Sequence, residues 1–86
     1  MSWNHRVLLT HVQLGPEEFD HYAVHEVYYD DNGVPTSWTK EPIAIVGDDY
    51  VECRNAWEMI ARAFTLPVLE VCSGEKLHEI EVDTQS

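Results

Sequence analysis

Apolar residues fall along the chain in short strand-like runs, one helix-like stripe and a late alternation, set off by Gly, Pro or acidic residues. Trp3 to Val12 carries Val7, Leu8, Leu9 and Val12 with few breakers, which predicts a first strand. Gly15-Pro16-Glu17-Glu18 reads as a loop. His21 to Asp30 is the clearest strand, built on Val24, Val27, Tyr28 and Tyr29. One face would carry Tyr22, Val24, Glu26 and Tyr28. The other would carry Ala23, His25, Val27 and Tyr29 and is the better core candidate. Asn32-Gly33 between strand-like runs predicts a two-residue type I′ hairpin with positive φ at both positions. Pro35 lacks an N–H and suits an edge, so the return strand over Thr36–Thr39 is short, with Trp38 cross-packing on its neighbour. Ile43 to Val46 reads as a compact apolar strand ending at Gly47.

Asp48-Asp49 opens the one clear helix. Asp49 and Glu52, three residues apart, have the form of a capping box, and both charges suit the positive helix N-terminus. Cys53, Ala56, Trp57, Ile60 and Phe64 recur at helical spacing and predict one stripe buried on the sheet. Glu52, Arg54, Asn55, Glu58 and Arg62 take the solvent side, with Glu58 and Arg62 paired one turn apart. Pro67 stops the helix near Thr65 or Leu66. Val68 to Val71 docks as a short extended piece, and Leu77 to Val82 alternates as a late edge strand or a loose tail. The fold expected is α+β: an antiparallel sheet of three or four strands with one helix packed on one face. Residues 1–71 form the single domain and residues 72–86 an acidic C-terminal tail or edge strand.

Composition narrows the function. The 86 residues hold five Lys and Arg against sixteen Asp and Glu, a formal charge of -11. Phosphate recognition rests on Lys and Arg, so direct nucleic-acid binding is not expected. No apolar run approaches the roughly 18 residues of a membrane span. The start, Met1-Ser2-Trp3-Asn4-His5-Arg6, lacks the build of a signal peptide, and two cysteines are too few for a disulfide scaffold. A cytoplasmic protein with reduced thiols is expected. Residues 16–35 carry six acids and no Lys or Arg.

Candidate chemistry is sparse. His21 and His25 share a strand face but lie about 13 Å apart at roughly 3.3 Å per residue, too far to hold one ion. Asp30-Asp31-Asn32-Gly33 fails as a calcium loop, because aligning Gly33 puts Tyr28 first and Thr39 last where carboxylates are needed. Cys53 sits on the apolar stripe, Cys72 has no neighbour that would lower its pKa, and no serine lies in a nucleophile turn. Gly15, Gly33, Gly47 and Gly74 are scattered singly and cradle no phosphate. No enzyme activity, no cofactor and no metal is expected.

What the core does not absorb is aromatic. Tyr22, Tyr28, Tyr29, Trp3 and Trp38 cannot all face one small core, and exposed Tyr and Trp commonly anchor protein contacts. Together with the acids they predict a partner-binding surface of Glu17, Glu18, Asp20, Glu26, Tyr28, Tyr29, Asp30, Asp31 and Trp38. The expected function is a non-enzymatic, acidic protein-interaction module that binds a basic protein, such as a toxin or a nucleic-acid-binding complex. The alternative is a structural or accessory homo-oligomer, a homodimer in its simplest form.

Several blocks carry a family resemblance. Trp3-Asn4-His5-Arg6-Val7, His25-Glu26-Val27-Tyr28-Tyr29-Asp30, Trp38-Thr39 with Pro42-Ile43, and Pro67-Val68-Leu69 resemble a family of small, acidic, uncharacterised bacterial proteins. That family shares the order W-N-x-R-V, H-E-V-Y-Y-D, W-T-x-x-P-I, a helix, then P-V-L. The stretch 13–21 is longer than in that pattern, and the tail after Val71 has no counterpart in it. The resemblance implies no activity. The order of three strands and then a helix is also similar to HicB-type antitoxin partial domains, which implies an acidic module that neutralises an RNA-cleaving toxin. A looser likeness, to phage inhibitors of bacterial defence, implies a nucleic-acid mimic.

Overall fold

The computed structural model describes residues 2–72 and 76–82. Strand β1 (Ser2–Leu14) and strand β2 (Glu17–Tyr29) form one long antiparallel hairpin in register from Ser2↔Tyr29 to Leu14↔Glu17. Gly15, at φ +61°, turns the chain between them. Glu17 and Glu18, expected in a loop, are therefore strand, and β2 begins four residues before the expected His21.

Strand β3 (Pro35–Trp38) pairs with the end of β2, as the edge position of Pro35 requires. The turn into it is not the expected two-residue type. Asp30 and Val34 close a three-residue loop, with Gly33 N–H donating to the Asp30 carbonyl at 3.0 Å. Asp30 Oδ1 also accepts from the N–H groups of Asn32 and Val34. The carboxylate thus organises the turn, and Gly33 follows at φ +78° as the left-handed residue of a bulged loop.

Helix α1 (Tyr50–Ala61) runs into a 3-10 turn, Arg62–Thr65. Asp49 caps it, accepting from Glu52 N–H at 2.8 Å, and the Glu52 carboxylate returns the bond to Asp48 N–H. Gly47 lies so close to this first turn that a Cβ there would meet the Glu52 and Cys53 backbone. Ile43 to Val46 is not a strand. Ile43 N–H bonds the Val24 carbonyl and its side chain joins the core, while Ile45 and Val46 are exposed. Glu58 pairs with Arg54, one turn before the expected Arg62.

Strand β4 (Val68–Cys72) then lies beside β1, and strand β5 (Lys76–Ile80) pairs with β4 at the edge. The sheet therefore has five strands in the order β3-β2-β1-β4-β5, not three or four. Nor is it all antiparallel, since β4 runs parallel to β1 through Leu8↔Leu69 and Leu9↔Glu70. A helical crossover between β3 and β4 returns the chain in the direction of β1, which a hairpin cannot do.

Both faces of the sheet are cored. On the helix face Val7 and Val24 meet Ile60 and Ala63, with Ile43 and Val68 around them. On the other face Leu8, Val27 and Leu69 are packed by Tyr29, Trp38, Val71 and Leu77. The edge strands β3 and β5 stand at opposite ends of the strand order yet touch each other, so the sheet curls around this second cluster. That curl covers Leu8, Val27 and Leu69 without a second helix.

The expected helix stripe is only partly buried. Ile60 and Ala63 anchor it, whereas Trp57 is 54% and Phe64 70% exposed, and Cys53 is half-buried. The change to 3-10 geometry at Arg62 explains Phe64: at three residues per turn Ala63, not Phe64, lies below Ile60. Trp57 follows from the anchoring, because the helix meets the core at its C-terminal end and its earlier turns stand away from it.

Candidate partner-binding surface

The distal half of the β1–β2 hairpin contributes to neither core cluster. Leu14, Phe19 and Tyr22 are exposed there among Glu17, Glu18 and Asp20, which are also exposed. Strand alternation sorts them. Glu18, Asp20 and Tyr22 stand on the helix face, and Glu17 and Phe19 on the opposite one.

The sequence-predicted residues do not form one patch. Glu18 and Asp20 share the helix face of the hairpin arm. Glu26 and Tyr28 lie on the same face farther back, the Tyr28 hydroxyl donating to Glu26 Oε2 at 3.0 Å. That bond to a carboxylate, with desolvation and the Glu26 charge, raises the Tyr28 pKa. Tyr29 and Trp38 belong to the core packing of the curled face, where the Tyr29 hydroxyl donates to Asn4 Oδ1 and accepts from Arg6. Asp30 organises the β2–β3 turn, and Asp31 sits exposed in that turn.

A groove adjoins the arm on the helix face. It encloses about 800 Å³ between Tyr22 and Phe64, over a floor that includes Val7, Val68 and Ile80. Leu66, Pro67 and Val82 complete its apolar wall, and Glu81 is the one charged residue among the described lining. Its size is within the roughly 300–1,000 Å³ of binding clefts. Tyr22 belonged to the surplus of aromatics legible in the sequence. Phe64 was hidden, because regular helical spacing assigns it to the core.

Beyond the groove floor a polar row crosses the sheet. His11 on β1 lies between Asp20 on β2 and Glu70 on β4, with Nδ1 2.8 Å from Asp20 Oδ1 and Nε2 2.7 Å from Glu70 Oε2. An ionised carboxylate only accepts, so satisfying both contacts requires the doubly protonated ring. The bonds to Glu70 and then Asp20 accordingly raise the His11 pKa above 6.5. Burial first, and then the Glu70 charge, push the Cys72 thiol up, the reverse of an activated nucleophile. Among the described residues no three His, Cys, Asp or Glu side chains are grouped so as to hold a metal ion. Among them, too, no helix is long and apolar enough to cross a membrane.

Comparison with known proteins finds no matching family model, no matching curated protein and no matching solved structure.

Proposed function

We propose that this protein is a non-enzymatic interaction module that captures a basic protein partner in the cytoplasm. The observation that carries the reading is the hairpin arm, where exposed Leu14, Phe19 and Tyr22 interleave with exposed Glu17, Glu18 and Asp20 outside both cores. Apolar side chains bearing no folding load offer contact area, and the surrounding carboxylates favour a cationic partner. With a formal charge of -11, the module would approach a basic surface fast and offer carboxylates where nucleic acid would offer phosphates. An inhibitor or antitoxin-like role fits that chemistry.

The test is recovery of bound proteins from host lysate by wild type, Phe19→Ser and the double reversal Glu17→Lys, Glu18→Lys, followed by mass spectrometry. Basic proteins captured by wild type and lost from both variants support the module. Equal recovery by all three, or no basic protein recovered by any, overturns it.

A second reading, self-association, has its own observation: Tyr50, Val51, Trp57 and Met59 are exposed on helix α1. Light scattering after size exclusion separates the two, because like charges oppose a dimer and added salt would promote it.

A further inference from the structure

We infer that the groove between Tyr22 and Phe64 binds an amphipathic α-helix whose apolar face enters the groove and whose flanks carry Lys or Arg. This inference rests on the interaction-module reading and names the form and chemistry of the partner. The groove lies over the face of the sheet, with the side chains of Val7, Val68 and Ile80 as floor. An extended segment laid on the floor would lie over side chains rather than beside a strand, and there its N–H and C=O groups would lose water without replacement. A helix satisfies its own backbone and needs only an apolar stripe, as in helix-in-groove recognition.

The floor is already built. Val7 is 5% exposed and held by Val24, Ile60 and Ala63, so little ordering remains when a partner docks. The walls are available, Tyr22 being 50% and Phe64 70% exposed. Charge decides the flanks. Glu81 lines the groove, and Asp20 and Glu70 follow two residues beyond Tyr22 and Val68 on the same sheet face. No Lys or Arg is among the described lining residues. His11 sits between Asp20 and Glu70 and offsets one of their two charges, so with Glu81 the rim stays net negative: a Lys or Arg on the partner would be drawn to it, Glu81 first, whereas an acidic helix, including α1 of a second copy, would be repelled.

The probe is a synthetic helix-forming peptide of about 18 residues, Leu on one face and Lys on the other, roughly 27 Å long. Its binding to the full chain is measured by calorimetry and mapped by amide chemical shifts at physiological salt. Wild type is compared with Phe64→Glu and with Val51→Glu, which adds the same charge on α1 outside the groove lining. The expected result is shifts centred on Val7, Tyr22 and Val68. Affinity should fall at least about tenfold in Phe64→Glu, as for loss of an anchor. Val51→Glu should bind unchanged or tighter.

Equal binding of the peptide by wild type and Phe64→Glu overturns the groove while leaving the acidic-surface reading standing. A Leu/Glu peptide binding as tightly as the Leu/Lys one overturns the basic flanks. A wild-type dimer that Phe64→Glu dissociates replaces the helix by a second copy and overturns the inference. No binding of the Leu/Lys peptide even at low salt overturns the groove inference alone, because the hairpin arm that carries the module reading is tested separately by the capture of basic proteins from lysate.

Discussion

Replacing Arg6 by Met should destabilise the fold by about 1–2 kcal/mol, chiefly through hydrogen bonding rather than ion pairing. Arg6 lies on the curled face with its side chain 7% exposed. Nη1 donates to the Tyr29 hydroxyl at 3.0 Å and Nη2 to the Pro67 carbonyl at 2.8 Å. The contact to Glu79 Oε1 is longer, 3.4 Å, and the Glu79 side chain is 65% exposed. Met keeps the buried stem volume but ends the part-buried, charge-assisted bonds to the Pro67 carbonyl and the Tyr29 hydroxyl, worth about 1.5–3 kcal/mol, of which water recovers part because Pro67 is itself exposed. Tyr29 keeps its bond to Asn4. Part of the cost is offset, because the guanidinium need no longer be desolvated and its buried Nε has no partner among the described residues. By contrast, Glu79→Gln removes only a long contact whose carboxylate is 65% exposed and should cost under about 0.5 kcal/mol. Thermal and urea unfolding followed by circular dichroism would resolve the two, since 1 kcal/mol shifts the midpoint by roughly 4–8 °C in a domain this small. If Glu79→Gln costs as much as Arg6→Met, the ion pair is the tie and this reasoning fails.

Three further outcomes follow from burial, backbone and protonation. Trp57→Ala should cost under about 1 kcal/mol, because the ring is 54% exposed, while Leu8→Ala, from a residue 1% exposed, should cost roughly 2–5 kcal/mol; unfolding midpoints compare them directly. Gly33→Val should cost on the order of 1–2 kcal/mol, since a β-branched residue is strained at φ +78° although no neighbour blocks its Cβ, and an unchanged melt would remove the strain argument. His11 has a folded pKa raised above 6.5, so its contribution is fully present below 6.5 and is lost as pH rises through the folded value. An NMR titration of the ring should show the raised midpoint, and His11→Gln should flatten the dependence of stability on pH in that window.

The sequence alone determined the local structure wherever one interaction controls it. Val7, Leu8 and Leu9 mark β1, Pro35 marks an edge strand, and Asp49 with Glu52 marks the helix start, because a cap or a missing N–H acts within a few residues. The α+β class, the negative charge and the surplus of aromatics were legible for the same reason. How those pieces share space depends on contacts between elements far apart in the chain. The parallel pairing of β1 with β4 depends on where a crossover helix lands, and no residue in β4 encodes direction. Tyr29 packs on the face that strand alternation already favoured for the core, but Trp38 joined it instead of an outer surface because β3 and β5 close on each other, a contact between strands far apart in sequence. Phe64 left the expected core when the helix tightened to 3-10 geometry ahead of Pro67, shifting the anchor to Ala63. The groove arises from that rotation, with Phe64 as one wall and Tyr22, from the other end of the sheet face, as its partner. Periodicity reports which residues can share a face, but which face is covered depends on the whole sheet's curl and on the anchoring of its one helix.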